Sequence, residues 1–309
     1  MAEPAQQPAV AEFLQLLAHA PAALLVLDYD GTLAPFQRER MEARPYPGVL
    51  ERLQRLERMQ RLSNPTDLRC GFVLLSGRPA GEVAELLRPL EGFAVHGAHG
   101  LELRRADGSR QLQPLAPADA AALAAAQQRM QAALHEAALP GVELECKPGG
   151  VALHWRGLVN SAASDPQQED PAGTTALAAM ARKIWEPLLA GSSLRLLPFD
   201  GGLELRVTRP NKGDALRTIL HGLPEKACVA YLGDDQTDED AFLALQAAGA
   251  RGLGVLVRTE WRPTAAHAWL EPPDGLLAFL DAYLDAYSAA NPEENLAAKL
   301  EAGQNAPKA

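Results

Sequence analysis

The sequence predicts an α/β protein: a doubly wound, Rossmann-like parallel-sheet core with an α+β cap domain inserted into it. Three observations carry this. Short, unbroken apolar runs recur at 22–27 ("AALLVL"), 71–75 ("GFVLL"), 227–233 ("ACVAYLG") and 253–257 ("LGVLV"), as in strands covered on both faces. Helical patterns separate the first of them, giving the β-α-β order of a parallel sheet. Between about 101 and 209 the texture changes to alternating strands, tight turns and two helices, as in an antiparallel insert.

Each element has its own justification. After the first strand, Val49, Leu50, Leu53, Leu56 and Leu62 recur at helical spacing with Glu and Arg between them, predicting a helix over 48–62. "SGRPAGEVAELL" opens another helix, with Pro79 suited to its first turn. "FAV" (93–95) is a third short strand. "LELRR" and "RQLQPL" flank Asp107-Gly108, a hairpin turn pair. An Ala-rich helix follows at 117–138, with Leu123, Met130, Leu134 and Leu139 on one face. "VELECK" (142–147) and "VALHWR" (151–156) alternate apolar and polar residues around "PGG". The stretch 166–173 reads as a loop. A helix over 174–190 precedes a second hairpin, "SLRLLPF" and "LELRVT", turning at Asp200-Gly201-Gly202. "PDGLLAFLDAYLDAY" forms a last amphipathic helix, and residues 291–309 read as a polar tail. The expected division is a core of 1–100 and 210–290 around a cap of 101–209.

Composition narrows the function. With 309 residues, 47% hydrophobic and 22% charged, the chain can build large cores and is neither membrane-like nor disordered. A formal net charge of −10 argues against non-specific nucleic-acid binding, but local cations or a metal can still make an anion site. The three cysteines, Cys70, Cys146 and Cys228, lack CxxC spacing; Cys70 and Cys228 flank apolar runs and read as small buried hydrophobes. The start lacks a basic, then apolar, leader pattern, and no run of about 20 apolar residues is present. The expectation is a cytoplasmic protein acting on a small molecule, with no nucleic-acid, membrane or protein partner predicted.

Chemistry-bearing residues sit where strands end. "LDYDGTL" closes the first apolar run with Asp28 and Asp30. A DxD pair alone fits turn and cap acids; the whole motif after a buried strand favours function. Ligands of doubly wound sheets bind beyond the carboxyl ends of strands. Two acids facing one point need a cation or a shared proton, and Mg2+, a hard ion with oxygen ligands, fits. "YLGDDQTDED" supplies Asp234, Asp235 and Asp238 at a second strand end, with Glu239 and Asp240 suited to a helix N-terminus. Asp234 is the better metal ligand; Asp238 could orient a metal-bound water. Ser76 and Gly77 follow "GFVLL", where a hydroxyl and free N–H groups can hold an anion, although Ser76 also suits a plain N-cap. Lys212, at the start of a helix, opposes the helix dipole unless an anion sits beside it. Asp/Asp, Ser, Lys and Asp/Asp at four ends suit phosphoryl transfer through an aspartyl-phosphate.

This set resembles the haloacid dehalogenase (HAD) superfamily of phosphohydrolases. Within it, "LDYDGTL", "SGR", "NKG" and "GDDQTDE" are similar to the trehalose-6-phosphate phosphatase family, over residues 20–285 or so. The resemblance implies Mg2+-dependent hydrolysis of trehalose 6-phosphate, with Asp28 as nucleophile and Asp30 as acid and then base. Ser76 and Lys212 would hold the phosphoryl oxygens. The metal would lie on the Asp28 carboxylate, the Asp30 carbonyl and Asp234, supported by Asp235 or Asp238. In the cap, Glu143, Glu145 and Lys147 share a strand face, as do His154 with Arg156 and Glu204 with Arg206. A polar sheet face is ordinary, but mixed charges also suit sugar hydroxyls. By resemblance, Glu145, Lys147 and Glu204 grip the sugar. For His96 and His99 the turn "HGAHG" favours a hinge or sugar contact over a metal, with His99 the candidate; Arg78 is either structural or touches substrate. Another sugar phosphate (sucrose-, glucosylglycerol- or mannosylglycerate-type), a phosphomutase, or an inactive sugar-phosphate binder remain alternatives.

Overall fold

A computed structural model describes residues 6–37, 39–62, 70–139, 141–155, 171–199, 201–247 and 251–290. Arg156, Asp200, the tail at 291–309, most of the loop expected at 166–173 and the Cys70 side chain lie outside the described parts. The chain divides into two compact units. One comprises Met1–Gln37, Met41–Gln111 and Asn211–Ala309; the other comprises Arg38–Arg40 and Leu112–Pro210.

In the first unit the elements are α1 (Gln6–Leu17), β1 (Ala23–Leu27), α2 (Val49–Leu62), β2 (Cys70–Leu75), α3 (Ala80–Leu86), β3 (Ala94–Gly97), β4 (Glu102–Arg104) and β5 (Arg110–Leu112). The second unit contributes α4 (Pro117–Ala137), β6 (Glu143–Lys147), β7 (Gly150–His154), α5 (Pro171–Trp185), β8 (Leu194–Phe199) and β9 (Gly202–Val207). The first unit then resumes with α6 (Lys212–His221), β10 (Cys228–Gly233), α7 (Glu239–Ala247), β11 (Gly252–Val257), β12 (Ala268–Leu270) and α8 (Asp274–Ala290).

The large sheet has the order β12-β11-β10-β1-β2-β3-β4-β5. Pairing is parallel from β12 to β3, and β4 runs antiparallel to β3. The unbroken apolarity of β1 follows from this position. Ala23, Leu25 and Leu27 enter a core built with α1, α2, α3 and α8, while Leu24 and Val26 enter the one on the other face, built with α6 and α7. Both faces of a central parallel strand lose water, so neither can carry polar side chains. Because β1 lies between β10 and β2, the winding reverses there, and the crevice outside its carboxyl end is the place for a ligand.

Two sequence expectations need revision, and one helix has no counterpart among them. The hairpin at 102–112 extends the large sheet, so the unit boundary falls after Gln111 instead of near 101. A strand pair goes where its backbone hydrogen bonds are met, and alternation does not say which sheet meets them. The helix expected over 174–190 is α-helical over Pro171–Trp185 and then tightens to a 3-10 turn at Glu186–Leu188, around Pro187. Helix α1 was not read from the sequence; its Phe13 and Leu17 pack in the same core as Leu284 and Tyr287 of α8.

The second unit is a four-stranded antiparallel sheet in the order β6-β7-β9-β8, with α4 and α5 on one side. Val151, Leu153, Leu203, Leu205 and Val207 are buried, as are Leu123, Ala126 and Met130 of α4 and Leu177, Ala181 and Trp185 of α5. The Trp185 indole N–H donates to Ala126 O at 3.2 Å, tying the two helices together. Cys146 is exposed and Cys228 buried.

Candidate active site

The "DYDGTL" segment continues β1 and then turns sharply. Asp28 N donates to Leu232 O at 2.9 Å, extending the ladder with β10 by one residue. Leu33 N and Ala34 N both return to Tyr29 O, and the Tyr29 ring is buried with its hydroxyl on Ala43 O at 2.5 Å. Gly31 makes the turn at φ +77, and a Cβ there would lie 2.1 Å from Asp234 Oδ2. Glycine is needed for both its backbone conformation and its lack of a side chain.

Asp28, Asp234 and Asp238 bring carboxylate oxygens within 4.8 Å of one another, all buried. Lys212 is buried among them, with Nζ 3.0 Å from Asp28 Oδ1 and 2.7 Å from Asp238 Oδ1. It opens α6 behind the Asn211 N-cap, which forms a capping box with Asp214. Its place at a helix start is thus explained by two carboxylates. Burial alone would lower the Lys212 pKa, but Asp238 and Asp28 outweigh it and hold the ammonium above the usual lysine range. Burial pushes Asp28 up to about 7, against the pull of Lys212. Burial, with Asp28 and Asp238 nearby, raises Asp234 well above the carboxylate range.

Were all three carboxylates ionised beside the one ammonium, two negative charges would sit in a buried space, and burial and mutual repulsion resist that in Asp28 and Asp234. A divalent cation cancels that charge, and the all-oxygen donor set suits a hard ion. The residues present therefore fit a metal of the magnesium type, with Asp28 and Asp234 as the acids least engaged elsewhere. Thr32 Oγ1 reaches Asp234 Oδ1 at 3.5 Å, and Arg258 donates to Asp234 O at 3.4 Å.

Two of the expected acids lie elsewhere. Asp30 gives both oxygens to Arg78, at 2.6 Å to Nε and 2.7 Å to Nη2. Asp235 is the N-cap of a 3-10 turn, its side chain accepting from Gln236 N. Neither carboxylate joins the cluster. The reason is local: each meets donors closer along the chain or across the sheet than the other acids.

The Ser76 hydroxyl accepts from Arg78 N at 3.1 Å, and Ser76 N donates to His96 O at 2.9 Å. Ser76 is not an N-cap, since α3 starts at Ala80 behind Pro79. The anion expected at that helix start is internal: Glu102 Oε2 accepts from Ala80 N at 2.7 Å. The His99 ring lies against Gly77, where a Cβ would be 2.8 Å from Cε1, and His99 N donates to Ser76 O at 2.9 Å. His99 thus supports the Ser76-Gly77-Arg78 loop. Burial pushes His96 down to about 4. The Arg78 guanidinium also lies 5.7 Å from the Tyr29 ring centre.

In the second unit the polar sheet face is a set of ion pairs. Glu145 Oε1 meets Arg40 at 2.9 Å and Oε2 meets His154 Nε2 at 2.8 Å. Lys147 Nζ lies 2.9 Å from Glu204 Oε1, and Arg206 Nε lies 3.7 Å from Oε2. Glu145, Glu204 and Arg206 are buried, unlike the residues of an ordinary solvated sheet face. Burial would raise Glu145, but His154, Lys147 and Arg40 bring it down to about 2.

Sequence reasoning passed over Tyr231, Arg40 and Glu102. Tyr231 read as core, and its hydroxyl donates to Asp238. Its tyrosine, where aliphatic residues fill the rest of the strand interior, was the available signal. Arg40 and Glu102 carry none, because their partners are distant in the chain.

A family model described as trehalose-phosphatase matches residues 26–271. The trehalose-phosphate phosphatase of Mycolicibacterium paratuberculosis is 32% identical over 265 residues, covering 84% of this chain and 61% of that protein. That of Mycobacterium tuberculosis H37Rv is 33% identical over 279 residues, covering 86% and 62%. The chain spans about three fifths of the length of these curated relatives. Among solved structures, the C-terminal domain of C. albicans trehalose-6-phosphate phosphatase aligns with a TM-score of 0.68 at 20% identity, over 89% of this chain and 96% of that one. A haloacid dehalogenase-like hydrolase from Bacteroides thetaiotaomicron aligns at 0.53 and 17% identity, over 84% and 98%. These likenesses establish a HAD-like fold.

Proposed function

Since the chain belongs to the trehalose-phosphatase family, we propose that it hydrolyses trehalose 6-phosphate to trehalose and phosphate. The observation that carries the reading is the buried Asp28 carboxylate at the end of β1, paired with Lys212 at 3.0 Å and clustered with Asp234. A carboxylate held beside a fixed cation is a nucleophile for phosphorus with a counter-charge ready for the phosphoryl oxygens.

In this reading Asp28 attacks phosphorus, the bond from phosphorus to the sugar oxygen breaks, and an aspartyl-phosphate forms. Asp30 gives its proton to the leaving oxygen and later takes one from the attacking water. Its bidentate pair with Arg78 must open for that exchange, because a carboxylate holding a guanidinium on both oxygens has no proton to give. Lys212 and the Ser76 hydroxyl receive the phosphoryl oxygens. Asp28 and Asp234 would hold Mg2+, which when bound polarises phosphoryl oxygen and stabilises charge in the transition state. Asp30 would contribute its carbonyl. Sugar recognition falls to Glu145, Lys147 and Glu204, whose ordered charges can accept from and donate to hydroxyls.

Phosphate release measured with Mg2+ and with chelator tests the reading. Trehalose 6-phosphate is expected to be hydrolysed far faster than glucose 6-phosphate, chelation to abolish turnover, and Asp28→Asn to be inert. Equal rates on the two sugars would remove the substrate assignment; turnover by Asp28→Asn would remove the mechanism.

A further inference from the structure

Asp238 differs from the other acids of the cluster in how fully its oxygens are used. Oδ1 accepts from Lys212 Nζ at 2.7 Å and from the Tyr231 hydroxyl. Oδ2 accepts from Asp234 N at 3.0 Å and Asp235 N at 2.8 Å. A carboxylate offers about four lone-pair sites, so four donors fill it. Among the described residues, the Asp28 side chain meets Lys212, and Asp234 has one long contact from Thr32. Asp238 is therefore built as a strut, and Asp28 and Asp234 retain free lone pairs.

We propose that Tyr231 is a positioning residue for phosphoryl transfer: its hydroxyl fixes the Asp238 carboxylate, which fixes Lys212 beside Asp28. The inference rests on the reading that Asp28 and Lys212 act on a phosphoryl group. The Tyr231 ring is a rigid anchor. It is fully buried in β10, in register with Val26 of β1 and Gly254 of β11, and the Phe242 ring packs on it edge-on at 5.4 Å. Lys212 is the mobile part, a charge on a four-carbon stem. It lies between two carboxylates that pull it in different directions, at 3.0 and 2.7 Å. Without the hydroxyl, Asp238 Oδ1 keeps only Lys212, the carboxylate is freer to turn, and the ammonium can settle onto Asp28. The nucleophile is then covered by the group that should receive the phosphoryl oxygens.

Tyr231→Phe keeps the ring and removes the contact. We compare it with Asp238→Asn and the double variant, measuring kcat and KM on trehalose 6-phosphate and p-nitrophenyl phosphate. Calorimetry follows Mg2+ binding, and orthovanadate binding in the presence of Mg2+. Tyr231→Phe is expected to lower kcat and orthovanadate affinity about tenfold, with KM and Mg2+ affinity within about twofold of the parent. Because Tyr231 acts through Asp238, the double variant should be no worse than Asp238→Asn alone, whereas independent effects would multiply. Asp238→Asn should keep Mg2+ affinity, as a strut and not a ligand. Parental kcat and orthovanadate affinity in Tyr231→Phe would overturn the proposal, as would multiplying effects or loss of Mg2+ binding. A parent that hydrolyses p-nitrophenyl phosphate but not trehalose 6-phosphate fails the substrate reading alone, and the Tyr231 cycle is then decided on the former. If neither is hydrolysed, the orthovanadate cycle decides it.

Discussion

Replacing Gly31 with alanine adds one methyl group at the most crowded point of the site. Two costs follow, and they can be separated. The backbone at φ +77 is left-handed, which costs an L-residue roughly 1–2 kcal/mol. The new Cβ would also lie 2.1 Å from Asp234 Oδ2 and 2.3 Å from its Cγ. Asp234 must retreat by about 1 Å, a displacement of the size that costs on the order of 10²-fold in rate. It has little room to do so: it is buried, its amide is held by Asp238 and its carbonyl by Arg258. Gly191 is the control, since it has the same φ of +77 and nothing within 4 Å of its Cβ position. Urea denaturation should show both Gly31→Ala and Gly191→Ala losing about 1–2 kcal/mol or more. Phosphate release and Mg2+ calorimetry should separate them, with Gly31→Ala losing about 10²-fold in turnover and binding Mg2+ weakly. Gly191→Ala should keep the parental values. Full activity in Gly31→Ala, or the same loss in both variants, would refute the steric argument.

Two further outcomes test buried carboxylates. Glu145 is depressed to about 2 from 4.5, so between those values the unfolded chain binds more protons than the folded one. Its contribution, on the order of 3 kcal/mol, is fully present above pH 4.5 and disappears as pH falls through about 2. The deficit of Glu145→Gln against the parent in urea should therefore shrink between pH 6 and pH 2.5; a constant deficit would contradict it. Glu102→Ala should cost about 1–2 kcal/mol in urea by leaving the buried Ala80 amide without its acceptor, and a parental midpoint would show that the contact is not formed in solution.

The core of the site was legible because its residues lie at the ends of apolar runs. Asp28 and Asp234 follow directly from strands whose burial pattern is unmistakable, and Lys212 opens a helix in a position that demands an anion. The separate roles of the acids were not legible. Asp28 and Asp30 are two residues apart, yet one meets Lys212 and the other Arg78. Asp235 and Asp238 share a loop, yet one caps a turn and the other anchors a lysine 26 residues away in sequence. Donor identity decides these outcomes: Arg78 comes from the loop after β2, Lys212 from the start of α6, and the Asp235 donor is the neighbouring Gln236 amide.

The amino-acid sequence alone determined the doubly wound core, the inserted antiparallel unit and the strand ends that carry the acids. Periodicity and burial are local in the chain, and so are the turns that follow each strand. Tertiary structure alone decided that the 102–112 hairpin joins the large sheet, that Glu102 takes the α3 amide, and that Tyr231 reaches Asp238. Each depends on which hydrogen-bonding groups meet once the sheet is assembled, and strand order is a property of packing that no single segment encodes.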